Sequence, residues 1–107
     1  MLYGSIEAGG TKFVCAIGDE EMTIKERVSF PTTTPEETMP LVIDFFKQYQ
    51  ADLAGIGIGS FGPIDIHRDS ATYGYITSTP KLAWQNFDFI GTMKKEFPIP
   101  ISWTTDV

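Results

Sequence analysis

The chain has 107 residues, 42% hydrophobic and 21% charged, with a formal net charge of −6 at pH 7. That composition lies outside the disordered class, and the acidic field argues against nucleic acid and anionic membranes as partners while leaving a nucleotide possible, since a phosphate site needs only local amides, a lysine and a metal ion. The N-terminus has no signal-peptide pattern, no stretch reaches the roughly 18 apolar residues of a spanning helix, and the single Cys15 sits among apolar neighbours, so a reducing cytoplasm is the expected setting.

Leu2 to Ile6 reads as a strand, Ala8-Gly9-Gly10 as a turn and Phe13 to Ile17 as a second strand, together a hairpin. From Thr23 to Phe30, Ile24, Glu26, Val28 and Phe30 alternate with more polar residues, the period of a third, antiparallel strand. Thr34-Pro35-Glu36-Glu37 is a capping box with proline at the first helical position, and Met39, Val42, Ile43, Phe46 and Tyr49 follow on one face. Pro40 either kinks the first turns or moves the helix start to about Thr38. Leu53 to Gly59 is a short apolar run bounded by glycines, as in a central strand covered on both faces, and Ser60-Phe61-Gly62-Pro63 breaks it. Ile64 to Trp84 reads as one long ordered loop, of the kind that carries function. A second helix starts near Asn86 or Asp88, turns Phe89, Ile90, Met93 and Phe97 inward and stops at Pro98. Ile99 to Trp103 then returns as a strand, with Thr104 to Val107 at its carboxyl end. The order βββαβαβ predicts a single α/β domain whose mixed sheet has an antiparallel three-stranded start and helical crossovers to later parallel strands.

Some of these segments have the residue types of a binding site. In Glu7-Ala8-Gly9-Gly10-Thr11-Lys12, two glycines allow close approach and positive φ, a hydroxyl and consecutive amides can face phosphate oxygens, and Lys12 adds a cation; a plain hairpin turn explains the glycines equally well. The segment is not a Walker A loop. The alternating Gly55, Gly57 and Gly59 serve close approach by a helix or a ligand, or packing alone, and Gly62-Pro63 falls at the carboxyl end of a strand, where open α/β sheets bind ligands. Asp106 lies at the same edge, as a helix N-cap or a catalyst. His67 lacks companions at ligand spacing and reads as a solvated loop residue, whereas Trp84, Trp103, Phe87 and Phe89 read as core.

Taken in order, Ile6 to Lys12, the glycine-rich Gly55 to Asp65, Thr79-Pro80-Lys81-Leu82-Ala83-Trp84 and Thr105-Asp106-Val107 resemble the first phosphate motif, the GPxD segment, the TPxxxW loop and the start of the NDAN-type motif of the ROK sugar kinases. The resemblance runs from Ser5 to Val107 and implies the N-terminal lobe of a ribonuclease H-like, actin-like ATPase fold. It implies transfer of a phosphoryl group from MgATP to a hexose, with Asp106 as general base and Gly9, Gly10, Thr11 and Lys12 on the phosphates. It places Gly62, Pro63, Thr79, Pro80, Trp84 and Thr105 at the sugar, and Glu7 at the Mg2+, directly or through water. Glu7 and Thr105 stand where the family usually has Asp and Asn, and with Phe61 they resemble the fructokinase branch, so fructose is the expected substrate. The family also implies a homodimer, a structural zinc site and a second, adenosine-binding lobe, none of whose signatures occurs in these residues, so the chain is expected to be a fragment of the enzyme. The alternatives are a sugar-sensing ROK repressor, whose DNA-binding helix-turn-helix would precede the first phosphate motif, and a non-catalytic module of the actin superfold.

Overall fold

The computed structural model describes residues 1–105; Asp106 and Val107 lie outside the described residues. In chain order its elements are β1 (Leu2–Ala8), β2 (Lys12–Asp19), β3 (Ile24–Pro31), α1 (Pro35–Lys47), β4 (Leu53–Ser60), β5 (Tyr75–Ile76), a single 3-10 turn at Leu82–Trp84, β6 (Phe87–Asp88), α2 (Phe89–Glu96) and β7 (Ile101–Thr105). The main sheet has five strands in the order β3-β2-β1-β4-β7. The β1/β2 and β2/β3 pairs are antiparallel, whereas β4 runs parallel to β1 and β7 parallel to β4. This is the expected mixed α/β sheet with an antiparallel three-stranded start.

Period-2 burial decides which face of the sheet is covered. Along β1, Gly4, Ile6 and Ala8 are buried while Tyr3, Ser5 and Glu7 are exposed. Ile6, Phe13, Cys15, Ile17, Ile56 and Ile58 from the strands share one core with Val42, Phe45 and Phe46 of α1 and Phe89 and Met93 of α2. Both helices therefore contribute to the core on the Ile6 face. Burying a side chain of this size contributes about 1.5 to 3 kcal/mol, so this single layer supplies most of the fold's hydrophobic stabilisation. Cys15 belongs to it, and burial pushes its thiol up to about 12, so it acts as a small apolar residue.

Helix α1 begins at Pro35 with Thr34 as N-cap, its hydroxyl accepting from the Glu37 amide, and it runs unbroken through Pro40. The helix start is thus the capping box rather than Thr38. Pro40 lies on the exposed face, where water can satisfy the Glu36 carbonyl that proline leaves without its intrahelical donor. Thr38 and Phe45 join the buried set, while Ile43 and Tyr49 are half-buried.

Three expectations change. The stretch Ile64 to Trp84, expected as one long loop, contains β5 and a 3-10 turn, and β5 pairs with β6, just beyond it, as a two-stranded antiparallel ribbon. The last strand starts at Ile101 rather than Ile99, because Pro98 and Pro100 cannot donate to the ladder and the Pro100 carbonyl instead accepts from Ile56. The glycines of β4 make room for neighbouring chain rather than for a helix: an added Cβ would lie 3.1 Å from Ser102 Oγ at Gly57 and 3.3 Å from the Pro100 carbonyl oxygen at Gly55.

Gly4 is the tightest point of helix-on-sheet packing, since a Cβ there would lie 2.6 Å from Phe46 Cε1. Gly4→Ala is therefore expected to cost about 1 to 3 kcal/mol, the usual range for overpacking a core. Urea unfolding of both proteins checks this, and equal midpoints would show that α1 is not pressed against β1 there.

Candidate functional site

The β1/β2 hairpin closes through Gly9, whose N–H donates to the Lys12 carbonyl at 3.0 Å. The end of β3 reaches over and fixes the turn. Thr32 donates its hydroxyl to the Gly9 carbonyl at 2.8 Å and its N–H to the Thr11 carbonyl at 2.9 Å. With those carbonyls engaged, the N–H groups of Gly10 and Thr11 have no acceptor among the described residues. Amides held in this way, beside the Lys12 cation, form a ready anion cradle.

Neither Gly9 nor Gly10 adopts a positive φ; among the described residues the glycine that does is Gly74. What the turn needs is space. A Cβ on Gly9 would lie 2.9 Å from the Lys12 carbonyl oxygen, and one on Gly10 would lie 3.3 Å from Lys81 Cε. Glu7, Gly9, Gly10, Thr11, Lys12, Gly59 and Thr105 line one open pocket of about 540 Å³ at the carboxyl ends of β1, β4 and β7. A Mg2+ ion commonly takes one or two protein carboxylates and completes its shell with phosphate oxygens and water, so the single Glu7 carboxylate fits that role. Among the described residues there is no cluster of three His, Cys, Asp or Glu side chains that could hold a metal by itself.

The segment after β4 forms the adjoining wall. The Phe61 N–H donates to the Ala8 carbonyl at 2.8 Å, which ties the end of β4 to the start of the glycine turn. The Gly62–Pro63 peptide is cis, and the Pro63 carbonyl accepts from both the amide and the hydroxyl of Thr77, at 2.8 and 3.1 Å. Pro63 and Pro80 are exposed and Gly62 is half-buried, so these can face a ligand. Thr79 and Trp84, at 1% and 0% exposure, cannot touch a sugar in this structure. They anchor the loop instead. The Thr79 hydroxyl accepts from the Lys81 amide, its carbonyl accepts from Gln85 Nε2, and the Trp84 indole donates to the Thr33 carbonyl. Trp84 belongs to the core, as its aromatic character alone suggests.

Asp65 closes the rest of the loop. Its carboxylate accepts from the Ser70 and Thr72 hydroxyls, both at 2.6 Å, and from the His67 amide, while its carbonyl accepts from the Trp103 indole at 2.9 Å. His67 itself is an exposed loop residue. Thr32 lies outside the motifs, and Asp65 and Lys81 fall inside the GPxD and TPxxxW segments without a role of their own. A threonine run directly after a strand-ending Pro31 is a faint signal for the first; the other two needed tertiary contacts.

Residues 3–107 match the ROK family, nearly the whole chain. The chain belongs to the ROK family. This ROK chain is 65% identical over 106 residues to a fructokinase of Streptococcus mutans and 57% identical over 107 residues to a fructokinase of Pediococcus pentosaceus. The matches cover 99% and 100% of the chain but 36% of each relative, so the chain spans about a third of their length. Among solved structures, a ROK glucokinase from Streptomyces griseus in complex with glucose and AMPPNP superposes with a TM-score of 0.77 at 20% identity, over 99% of this chain and 33% of that one. That likeness shows the fold, the actin-like ATPase fold of ROK sugar kinases.

The hydrogen bonds from Ser70 and Thr72, and then from the His67 amide, hold the Asp65 carboxyl at about 2, below its ordinary 3.8. A carboxyl depressed in the folded state adds stability above its unfolded pKa, and that gain is lost as pH falls through about 2. Carbonyl-carbon NMR titration of Asp65 should therefore give a midpoint near 2 that rises toward 3.8 in the Ser70→Ala/Thr72→Val double variant. An unshifted midpoint in the unaltered chain would show that the loop is not closed by these hydroxyls.

Proposed function

We propose that this chain is the N-terminal lobe of an ATP-dependent fructokinase, which transfers the γ-phosphoryl group of MgATP to the 6-hydroxyl of fructose. One observation carries the reading: the glycine turn with its unengaged amides, the Gly62–Pro63 turn and the loop carrying Pro80 and Lys81 converge at the carboxyl ends of parallel strands. The fructokinase names of relatives at 65% and 57% identity support fructose in particular.

In this reading the Gly10 and Thr11 amides, the Thr11 hydroxyl and Lys12 bind the phosphates and offset charge that develops during transfer, where positioning and electrostatics supply most of the catalysis. Gly62, Pro63, Pro80 and Thr105 border the hexose, with Thr79 and Trp84 setting the shape of that border from beneath. Glu7 holds Mg2+, directly or through water; the ion, when bound, neutralises phosphate charge. Asp106, outside the described residues, directly follows Thr105 at the end of β7 and takes the proton of the attacking hydroxyl. ATP and hexose are the partners, and the adenosine lobe belongs to the remaining two thirds of the enzyme. The family assignment also carries a homodimer and a structural zinc outside this segment, and the single, buried Cys15 suits a reducing cytoplasm. Among the described residues, no helix is long and apolar enough to cross a membrane.

The test is kinetic, on a full-length protein carrying this segment. Fructose should be phosphorylated with a higher kcat/KM than glucose, and Asp106→Asn, which keeps any N-cap hydrogen bond, should lower kcat by about 10² to 10⁴ with melting temperature little changed. Equal or reversed sugar preference would overturn the fructose assignment, and a kcat within a few-fold of the unaltered enzyme would remove Asp106 from the mechanism.

A further inference from the structure

The contact between the hexose loop and the glycine turn assigns a further part to Lys81. Lys81 Cε lies 3.3 Å from where a Cβ would stand on Gly10, so the aliphatic stem of this lysine rests on the glycine turn, with the ammonium one bond beyond. The residue is exposed, yet its backbone is not free to wander. Its amide donates to the hydroxyl of buried Thr79 at 3.2 Å, and its carbonyl accepts from the amide of buried Trp84 at 2.9 Å. A cation is thus carried by a core-anchored loop and laid across a turn whose next two amides await an acceptor. Among the described residues, no carboxylate stands within 4.0 Å of it. In a chain of net charge −6, a cation at this place with no carboxylate partner among the described residues attracts an anion.

Lys12 does not duplicate it. Lys12 springs from β2, borders Val14, Arg27 and Ser29 on the open face of the sheet, and lines the pocket beside Gly10 and Thr11. The turn is therefore flanked by two lysines from different elements. Phosphoryl transfer requires donor and acceptor oxygens roughly in line across the migrating phosphorus, with charge spread over its equatorial oxygens. Lys81 is rooted in the Thr79–Trp84 loop and rests on the glycine turn, so it stands where it can address those oxygens while both substrates are bound.

We propose that Lys81 is a catalytic residue of the phosphoryl transfer, its ammonium contacting the equatorial oxygens of the γ-phosphoryl group as it passes from ATP to the sugar hydroxyl. This rests on the kinase reading above. No covalent bond to Lys81 forms and its proton stays on nitrogen; the bond from phosphorus to the ADP oxygen breaks, the bond to the hexose oxygen forms, and the hydroxyl proton passes to Asp106. Because the contact strengthens as the phosphoryl group loosens, Lys81 serves the transition state more than the bound substrates.

The experiment compares the unaltered full-length enzyme with Lys81→Met and Lys81→Arg by steady-state kinetics against fructose and ATP, with a thermal melt of each. Lys81→Met should lower kcat by about 10² to 10³, the range for removing one preorganised donor to a developing oxyanion, with both KM values within a few-fold. Lys81→Arg should recover much of the loss, since it keeps the charge. Lys81 is exposed, so melting temperatures should agree. A kcat within about three-fold of the unaltered enzyme in Lys81→Met, or a raised fructose KM at unchanged kcat, would overturn the catalytic part and leave the kinase reading standing. An unaltered enzyme that turns over no hexose would overturn both.

Discussion

The fold and its candidate site depend on the enclosure of one indole. Trp84 packs against Phe13 with ring centroids 5.3 Å apart, Phe61 at 5.9 Å and Phe87 at 5.3 Å, and its N–H reaches the Thr33 carbonyl at 3.0 Å. Phe13 directly follows Lys12 on β2, Phe61 directly follows β4, and Thr33 lies in the link from β3 to α1. Four pieces of chain distant in sequence are thereby referenced to the same ring. A buried indole without its acceptor costs about 1 to 3 kcal/mol, and a vacated ring site costs more, so these segments cannot drift independently. That constraint sets the glycine turn and the Thr79–Trp84 loop at one separation.

Much of this was legible in the residues. The hairpin, the alternating third strand, the helix start at Thr34-Pro35 and a second helix starting near Asn86 or Asp88 follow from local rules, and the structure has each of them, with Asp88 as the second N-cap. The ribbon of β5 and β6 was not legible, because each strand is two residues long and no periodicity can show in so short a run. In the glycine turn, close approach and positive φ are both open from the sequence, and the structure shows the first: the glycines make room for the Lys12 carbonyl and the Lys81 side chain and neither has a positive φ. Trp84 shows the same division. As a large aromatic it reads as core, and at 0% exposure it is core, whereas motif resemblance placed it at the sugar. Position in a motif says that a residue matters to a site; burial says how.

Charge completes the picture. The chain is acidic overall, but Lys12 and Lys81 flank the glycine turn, whose Gly10 and Thr11 amides have no acceptor among the described residues, and the depressed Asp65 carboxyl closes a loop rather than facing the pocket. The glycine turn is therefore the most anion-attracting feature of this surface, and its neighbours supply a carboxylate at Glu7 and the carboxyl end of β7 at Thr105. The account stands on that assignment. It is tested most directly by the crystal structure of a full-length enzyme carrying this segment, with AMPPNP and fructose bound. The γ-phosphate oxygens should lie about 2.7 to 3.2 Å from the Gly10 or Thr11 amide nitrogen, with fructose against Pro63 and Pro80. Phosphates bound elsewhere, with those amides facing water, would contradict it.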